Sequence, residues 1–270
     1  MFEARIIKMY TEWQQDQKVQ YFLKGSEDFL HINQLLEKAI HIEFLNYQCM
    51  GCDMDKKIFA QGYCYDCFER LPQTGEWVMH PEKSKAHLGE EDRNLIFEQK
   101  VQLKPHVVYL ANSSNVKVGV TRKSQLPTRW IDQGAHEAIV LAETENRYQA
   151  GCIEVALKEH ISDKTNWRTM LKNEVMDEDL KAVKAQLINY IPDEFKAFVV
   201  EDSDEVNIQF PVKQYPMKLN TLKLENTPSI SGKLLGIKGQ YLLFDGGRVF
   251  NVRSHEGYVV RISIVLEKIH

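Results

Sequence analysis

Four of the five cysteines fall in two pairs of identical spacing, Cys49-Met-Gly-Cys52 and Cys64-Tyr-Asp-Cys67, separated by eleven residues. Two residues inside each pair let a tight knuckle turn both thiolates toward one point. Two such knuckles supply the four sulfurs that tetrahedral zinc takes. A closed set of four thiolates leaves no open position for a reacting water, so the ion it implies serves folding and not catalysis. In a reducing compartment the pattern favours metal over disulfides. Two independent dithiols are the competing reading, but neither pair has the βαβ surroundings of a redox motif. Residues 49–67 are therefore expected to form a small ribbon around one structural zinc.

The length of 270 residues suggests about two domains. A hydrophobic content of 43% and a charged content of 27% are ample for a packed core. No apolar run approaches the roughly 20 residues that a membrane span needs. The opening MFEARIIKMYTEWQQDQK lacks the basic start, apolar run and cleavage site of a secretory leader. The expectation is a cytoplasmic protein with no membrane partner. A net charge of −4 excludes a basic field over the whole chain. Charge is uneven, however: Lys117, Arg122, Lys123 and Arg129 stand between Ser113 and Trp130 with no acid among them. Charge alone reads this equally well as a phosphate-facing patch or as a solvated positive face.

Periodicity predicts an α+β chain in four segments. Residues 1–104 read as β-rich around the zinc ribbon, with a strand at Ile40–Phe44, a short helix over Ile32–Ala39, and polar loops over 71–105. Residues 105–172 read as a compact α/β unit. Val107–Ala111 and Val116–Val120 form a hairpin through Asn112–Asn115. Pro127 opens a helix that carries Arg129 and Gln133. Ala138–Ala142 is a third strand, and helical spacing runs from Arg147 to Ser162 with Glu154 beside the apolar stripe. Residues 173–204 read as a helical connector, helical over 174–190 and ended by Pro192. Residues 205–270 read as a β domain, with strands at Val206–Phe210, Gly239–Phe244, Arg248–Arg253 and Tyr258–Leu266. Packing of the N- and C-terminal strands into one β domain is a further possibility.

The run VVYLANSSNVKVGVTRKSQLPTR, followed by the helix bearing Glu154, resembles the GIY-YIG endonuclease superfamily, in its diverged branch with Lys-Ile-Gly in the second motif. The likeness covers residues 105–170. Tyr109 falls on the first tyrosine, Val118-Gly119 on the end of the second motif, Arg129 on the arginine, and Glu154 on the metal-holding glutamate. Val107 stands in place of the first glycine and Lys117 in place of the second tyrosine. The chain as a whole also resembles an uncharacterised prokaryotic family, domain-of-unknown-function family 2797. That second likeness rests on the ribbon and on Lys117–Arg122, Pro127–Ala135, Asp163–Arg168 and Gly236–Leu242.

What the first resemblance implies is phosphodiester cleavage, which needs a base, a cation for developing charge, and support for the leaving oxygen. Tyr109 would be the base or its relay, and Arg129 would grip a phosphate oxygen. Glu154 would hold Mg²⁺ or Mn²⁺, and Lys117 would add positive charge at the phosphate. Arg122, Lys123, Asn166 and Arg168 are placed to bind DNA or RNA along the same cleft. A different class remains beside it. In that reading the chain is a non-catalytic nucleic-acid-binding or protein-interaction module, with Arg129 and Glu154 simply an ion pair between helices.

Overall fold

The computed structural model describes residues 1–162 and 164–265. Asp163, from the run 163–168, and Leu266, the expected end of the last strand, lie outside the described residues. The chain opens with β1 (Phe2–Arg5), β2 (Tyr10–Glu12), β3 (Gln20–Lys24) and β4 (Phe29–His31). The helix expected over 32–39 is one 3₁₀ turn at Ile32–Leu35, because Glu37 turns left-handed at φ 66° and stops it. Next comes β5 (Ala39–Tyr47), in which Ile40 and Ile42 are buried and their neighbours are not. That alternation marks a strand with one face on a core. The cysteine segment and the short α1 (Tyr65–Arg70) follow.

Residues 71–105 are more ordered than their polarity suggests. Four single 3₁₀ turns lead into α2 (Leu95–Gln102). Two caps start this helix. Asn94 Oδ1 accepts from Phe97 N at 2.8 Å, while the buried Glu98 carboxylate accepts from Asp92, Arg93 and Asn94 N–H at 2.7–3.0 Å. Then come β6 (His106–Asn112), β7 (Val116–Arg122), α3 (Thr128–Asp132), β8 (Glu137–Thr144) and α4 (Arg147–Lys158). The helix expected over 174–190 is found in the later part of that span, continued by a 3₁₀ turn at Ile188–Tyr190, and a shorter helix precedes it. Helix occupies α5 (Trp167–Lys172) and α6 (Leu180–Leu187), and Asn173, left-handed at φ 59°, ends the first of them. The strand expected over Val206–Phe210 shrinks to β9 (Val206–Asn207).

The last part contains β10 (Asn220–Leu222), β11 (Ser229–Lys238), β12 (Tyr241–Phe244), β13 (Arg248–Asn251) and β14 (Tyr258–Ile264). Contacts divide the chain into two compact units, residues 1–69 with 209 onward, and residues 70–208. The division differs from the four segments read from sequence, and packing explains why. Leu180, Leu187 and Ile191 of the supposed connector belong to the same core as β6 and α4.

The first unit holds a seven-stranded sheet in the order β1-β14-β5-β11-β12-β13-β10, and a three-stranded sheet β2-β3-β4. Strands from both ends of the chain share the larger sheet: β1 pairs β14 from Phe2–Ile262 to Arg5–Val259, and β14 pairs β5. At the end of β11, Lys238 is completely buried, its Nζ 5.5 Å from the Phe210 ring centroid and 5.4 Å from that of Tyr215. Burial pushes its amine down to about 8. Between about pH 8 and pH 10.5 the unfolded chain holds this proton and the folded chain does not, so stability gains with pH across that window. Wild type is therefore expected to gain about 3 kcal/mol from this residue between pH 7 and pH 10.5, and Lys238→Met to lack that gain. Denaturant midpoints of both proteins at pH 7 and pH 10.5 check this.

The second unit is built on the antiparallel sheet β7-β6-β8-β9. β6 lies inside it and is buried along its whole length, so it shows no polar face. Val108 and Leu110, with Val116 and Val118 of β7, meet Ala150, Ile153 and Leu157 of α4. Tyr109 points to the other face and meets Trp130 of α3 edge-on, with centroids 6.1 Å apart.

Candidate functional site

The four cysteines are brought together. Their sulfurs all lie within 4.8 Å of one another, and among the described residues no other group of three or more His, Cys, Asp or Glu is placed to hold a metal. The first pair follows β5, and the second pair enters α1, which places Cys67 in the first turn of that helix. Sulfurs around a tetrahedral zinc lie about 3.8 Å apart, given a bond of about 2.3 Å. The 4.0 Å between Cys52 and Cys64 Sγ is close to that. Cys49 Sγ accepts backbone N–H from Cys64 at 3.2 Å and from Gly51 at 3.4 Å. Burial raises the Cys49 thiol, but the N–H groups of Cys64, Cys52 and Gly51, with the Cys64 side chain, outweigh it and bring it down to about 6. Such donors stabilise a thiolate, the form that binds metal. Arg5 of β1 ties the first knuckle to the sheet by pairing with Asp53 and donating to Cys49 O.

In the second unit the β6–β7 hairpin places Tyr109 directly opposite Gly119. A Cβ on Gly119 would stand 2.6 Å from the Tyr109 hydroxyl. The glycine is thus a seat for the phenol, which lies across the neighbouring strand. Gly119→Ala should expel the ring and destabilise the unit by about 1–3 kcal/mol, measurable as a drop in thermal midpoint and a change in Trp130 emission. Lys117, two residues before Gly119, shares the Tyr109 face and is buried.

Arg129 on α3 links the set. The Tyr109 phenol oxygen holds its guanidinium above the usual range, electrostatically and through a hydrogen bond, against the opposing effect of burial. The Asp132 and Glu154 carboxylates act in the same direction, more weakly. Glu154 on α4 is 7% exposed, with Lys158 Nζ 3.4 Å from its Oε2. Residues from a strand and two helices thus act electrostatically on one guanidinium.

Two members of this neighbourhood escaped the sequence reading. Gln133 Nε2 donates to the Tyr109 oxygen at 3.3 Å. Its signal was available, since it lies four residues after Arg129 and one turn on. Arg147 opens α4, two turns before Glu154. Burial pushes its guanidinium down to about 10, with Arg129 and Arg122 reinforcing and the Glu154 and Glu82 carboxylates opposing.

The expected nucleic-acid-binding residues have varied surroundings. Arg122 ends β7 within electrostatic range of Arg147. Lys123 pairs with Glu143 at 2.8 Å. Asn166 caps α5, its Oδ1 accepting from Arg168 and Thr169 N–H. Exposed Arg168 lies over the Trp167 ring at 4.3 Å.

No helix of the described residues is long and apolar enough to cross a membrane. A family model described as "Protein of unknown function (DUF2797)" matches residues 37–260. No curated protein and no solved structure matches the chain.

Proposed function

The chain belongs to the DUF2797 family, and we propose that it acts on nucleic acid at the Tyr109–Arg129–Glu154 site as a divalent-metal-dependent endonuclease. One observation carries the reading: Arg129 shares a hydrogen bond with the Tyr109 phenol and lies within electrostatic range of the Glu154 carboxylate, and the two come from separate elements. The order of these residues along the chain, resembling the GIY-YIG superfamily, supports it. Tyr109 accepts the proton of the attacking water or relays it, with Gln133 and Arg129 steadying its oxygen. Arg129 grips a phosphate oxygen through its donor fork, and Lys117 adds positive charge. Glu154 offers a single carboxylate, which suits Mg²⁺ or Mn²⁺, cations that keep several waters and lean on substrate phosphates. When bound there, the cation would neutralise charge on the phosphate.

The cysteine cluster is read as a zinc staple. Its own surroundings argue against a phosphate grip. Residues 49–70 carry Asp53, Asp55, Asp66 and Glu69 against Lys56, Lys57 and Arg70, and four thiolates on one Zn²⁺ add net negative charge. The basic run from Lys117 to Arg129 is the better phosphate surface.

A second reading, binding without cleavage, is favoured by one feature: Tyr109 is only 1% exposed, which restricts direct contact with substrate. A cleavage panel on DNA and RNA with Mg²⁺ and Mn²⁺, comparing wild type with Glu154→Ala, separates the two. Metal-dependent products from wild type alone support the endonuclease. Binding that survives Glu154→Ala, with no cleavage by either protein, leaves only the binding module.

A further inference from the structure

One face of the helix that carries Glu154 packs on the sheet, and a short strap, residues 76–83, also crosses the helix. Two contacts fix the crossing. At the start of α4, Arg147 donates from Nε to Trp77 O at 3.1 Å and from Nη2 to Val78 O at 2.8 Å. Its guanidinium carbon also lies 5.6 Å from the Trp77 ring centroid. One turn on, a Cβ at Gly151 would stand 2.3 Å from Glu82 N and 2.5 Å from the Pro81 carbonyl carbon. The strap can cross there only because position 151 has no side chain. Glu154 follows three residues after Gly151 and seven after Arg147, on the same side of the helix.

We propose that Arg147 is a positioning residue for Glu154. By fastening the first turn of α4 to the strap, it sets the helix's rotation and axial place, and so the reach of the carboxylate toward Arg129 and Tyr109. The proposal rests on the reading of Glu154 as a working carboxylate. An arginine suits the task because Nε and Nη2 form one planar edge that meets two successive carbonyls together. A lysine ammonium has no such fork. The proposed role runs through the helix, since Nε and Nη2 of Arg147 are taken by the strap carbonyls, while its charge also reaches Glu154.

The test compares wild type, Arg147→Lys, Arg147→Gln, Gly151→Ala and Glu154→Ala. Far-UV circular dichroism and thermal midpoints report folding. Mn²⁺ titration reports the metal, and cleavage of an oligonucleotide is resolved into kcat and KM. A misplacement of about 1 Å can lower a rate by roughly 100-fold. Folded Arg147→Gln and Gly151→Ala should each lose roughly 30- to 100-fold in kcat, with KM little changed and Arg147→Lys intermediate. If Arg147→Gln does not fold, Gly151→Ala decides alone, since it moves the strap without touching a charge. Wild-type kcat in the folded variants, beside a dead Glu154→Ala, overturns the positioning role and leaves the endonuclease reading standing. A loss that only tracks the unfolded fraction overturns the role as well. If wild type neither binds Mn²⁺ nor cleaves, the endonuclease reading and this role fall together.

Discussion

Stripping zinc from Cys49, Cys52, Cys64 and Cys67 should unfold residues 49–70 while the seven-stranded sheet beside them stays folded. The ribbon has little else to hold it. Phe59 and Tyr65 are 58% and 59% exposed, and α1 has only six residues, far below the length at which a helix stands alone. Apparent binding of structural zinc supplies roughly 10–16 kcal/mol near neutral pH, more than the remaining contacts of so small a segment can provide. The sheet has independent support: Phe44, Tyr47 and Tyr258 form a ring cluster with centroids 4.9–5.5 Å apart. Hydrogen exchange with and without a zinc chelator checks the expectation. Amide protection should vanish over 49–70 and persist in β5 and β14. Cys49→Ser should behave like the chelated protein, because it removes the sulfur that the Gly51 and Cys64 N–H groups address. Ribbon amides that stay protected after chelation, or protein purified without stoichiometric zinc, would sink the staple.

What could be read from the sequence was mostly local. Cys49 and Cys52 must lie together because two residues separate them, and the 49–67 cluster needed no fold to be legible. Tyr109 and Gly119 were legible as a pair because one short hairpin joins them, and the turn residues Asn112–Asn115 announce it. Helix α4 could be recognised because Ala150, Ile153 and Leu157 recur at helical spacing. The association of Arg129 with Tyr109 and Glu154 lay one step further off. Periodicity placed each on its element, but only a resemblance put them in one site.

What could not be read depended on distant or backbone partners. That the N- and C-terminal strands share one β domain was raised by the sequence and is found, but nothing local in Phe2–Arg5 names Tyr258–Ile264 as its partner. β11 was missed because Gly232 and Gly236 interrupt its alternation, the second at a shift in register against β12. α2 was missed because Leu95, Ile96 and Phe97 stand in one run and not at helical spacing, and its start depends on Asn94 and Glu98 together. The Arg147 strap was beyond reach for a different reason. Its acceptors are the carbonyls of Trp77 and Val78, which every residue possesses, so no side-chain pattern could mark them.

Glu154→Ala and Arg129→Ala should fail in different ways, and the contrast tests the site more sharply than either variant alone. Loss of the Glu154 carboxylate removes the group proposed to hold the cation, and cleavage should fall by roughly 10²–10³-fold. Binding should survive it, because the deletion takes a negative charge away from a space that Arg129, Arg147 and Lys158 share. Affinity for an oligonucleotide should be unchanged or slightly tighter. Arg129→Ala removes the proposed phosphate contact itself and takes a hydrogen-bond partner from Tyr109. Its affinity should drop, and the slope of log affinity against log salt should fall by about 1, the signature of one lost phosphate contact. Arg129→Lys should recover the slope but not the rate, since an ammonium replaces the charge without the planar fork. Fluorescence anisotropy over a potassium chloride series, beside cleavage of the same labelled oligonucleotide, measures both quantities. An Arg129→Ala protein with unchanged affinity and slope would show that the phosphate lies elsewhere. Wild-type cleavage by Glu154→Ala would show that the carboxylate holds no working cation.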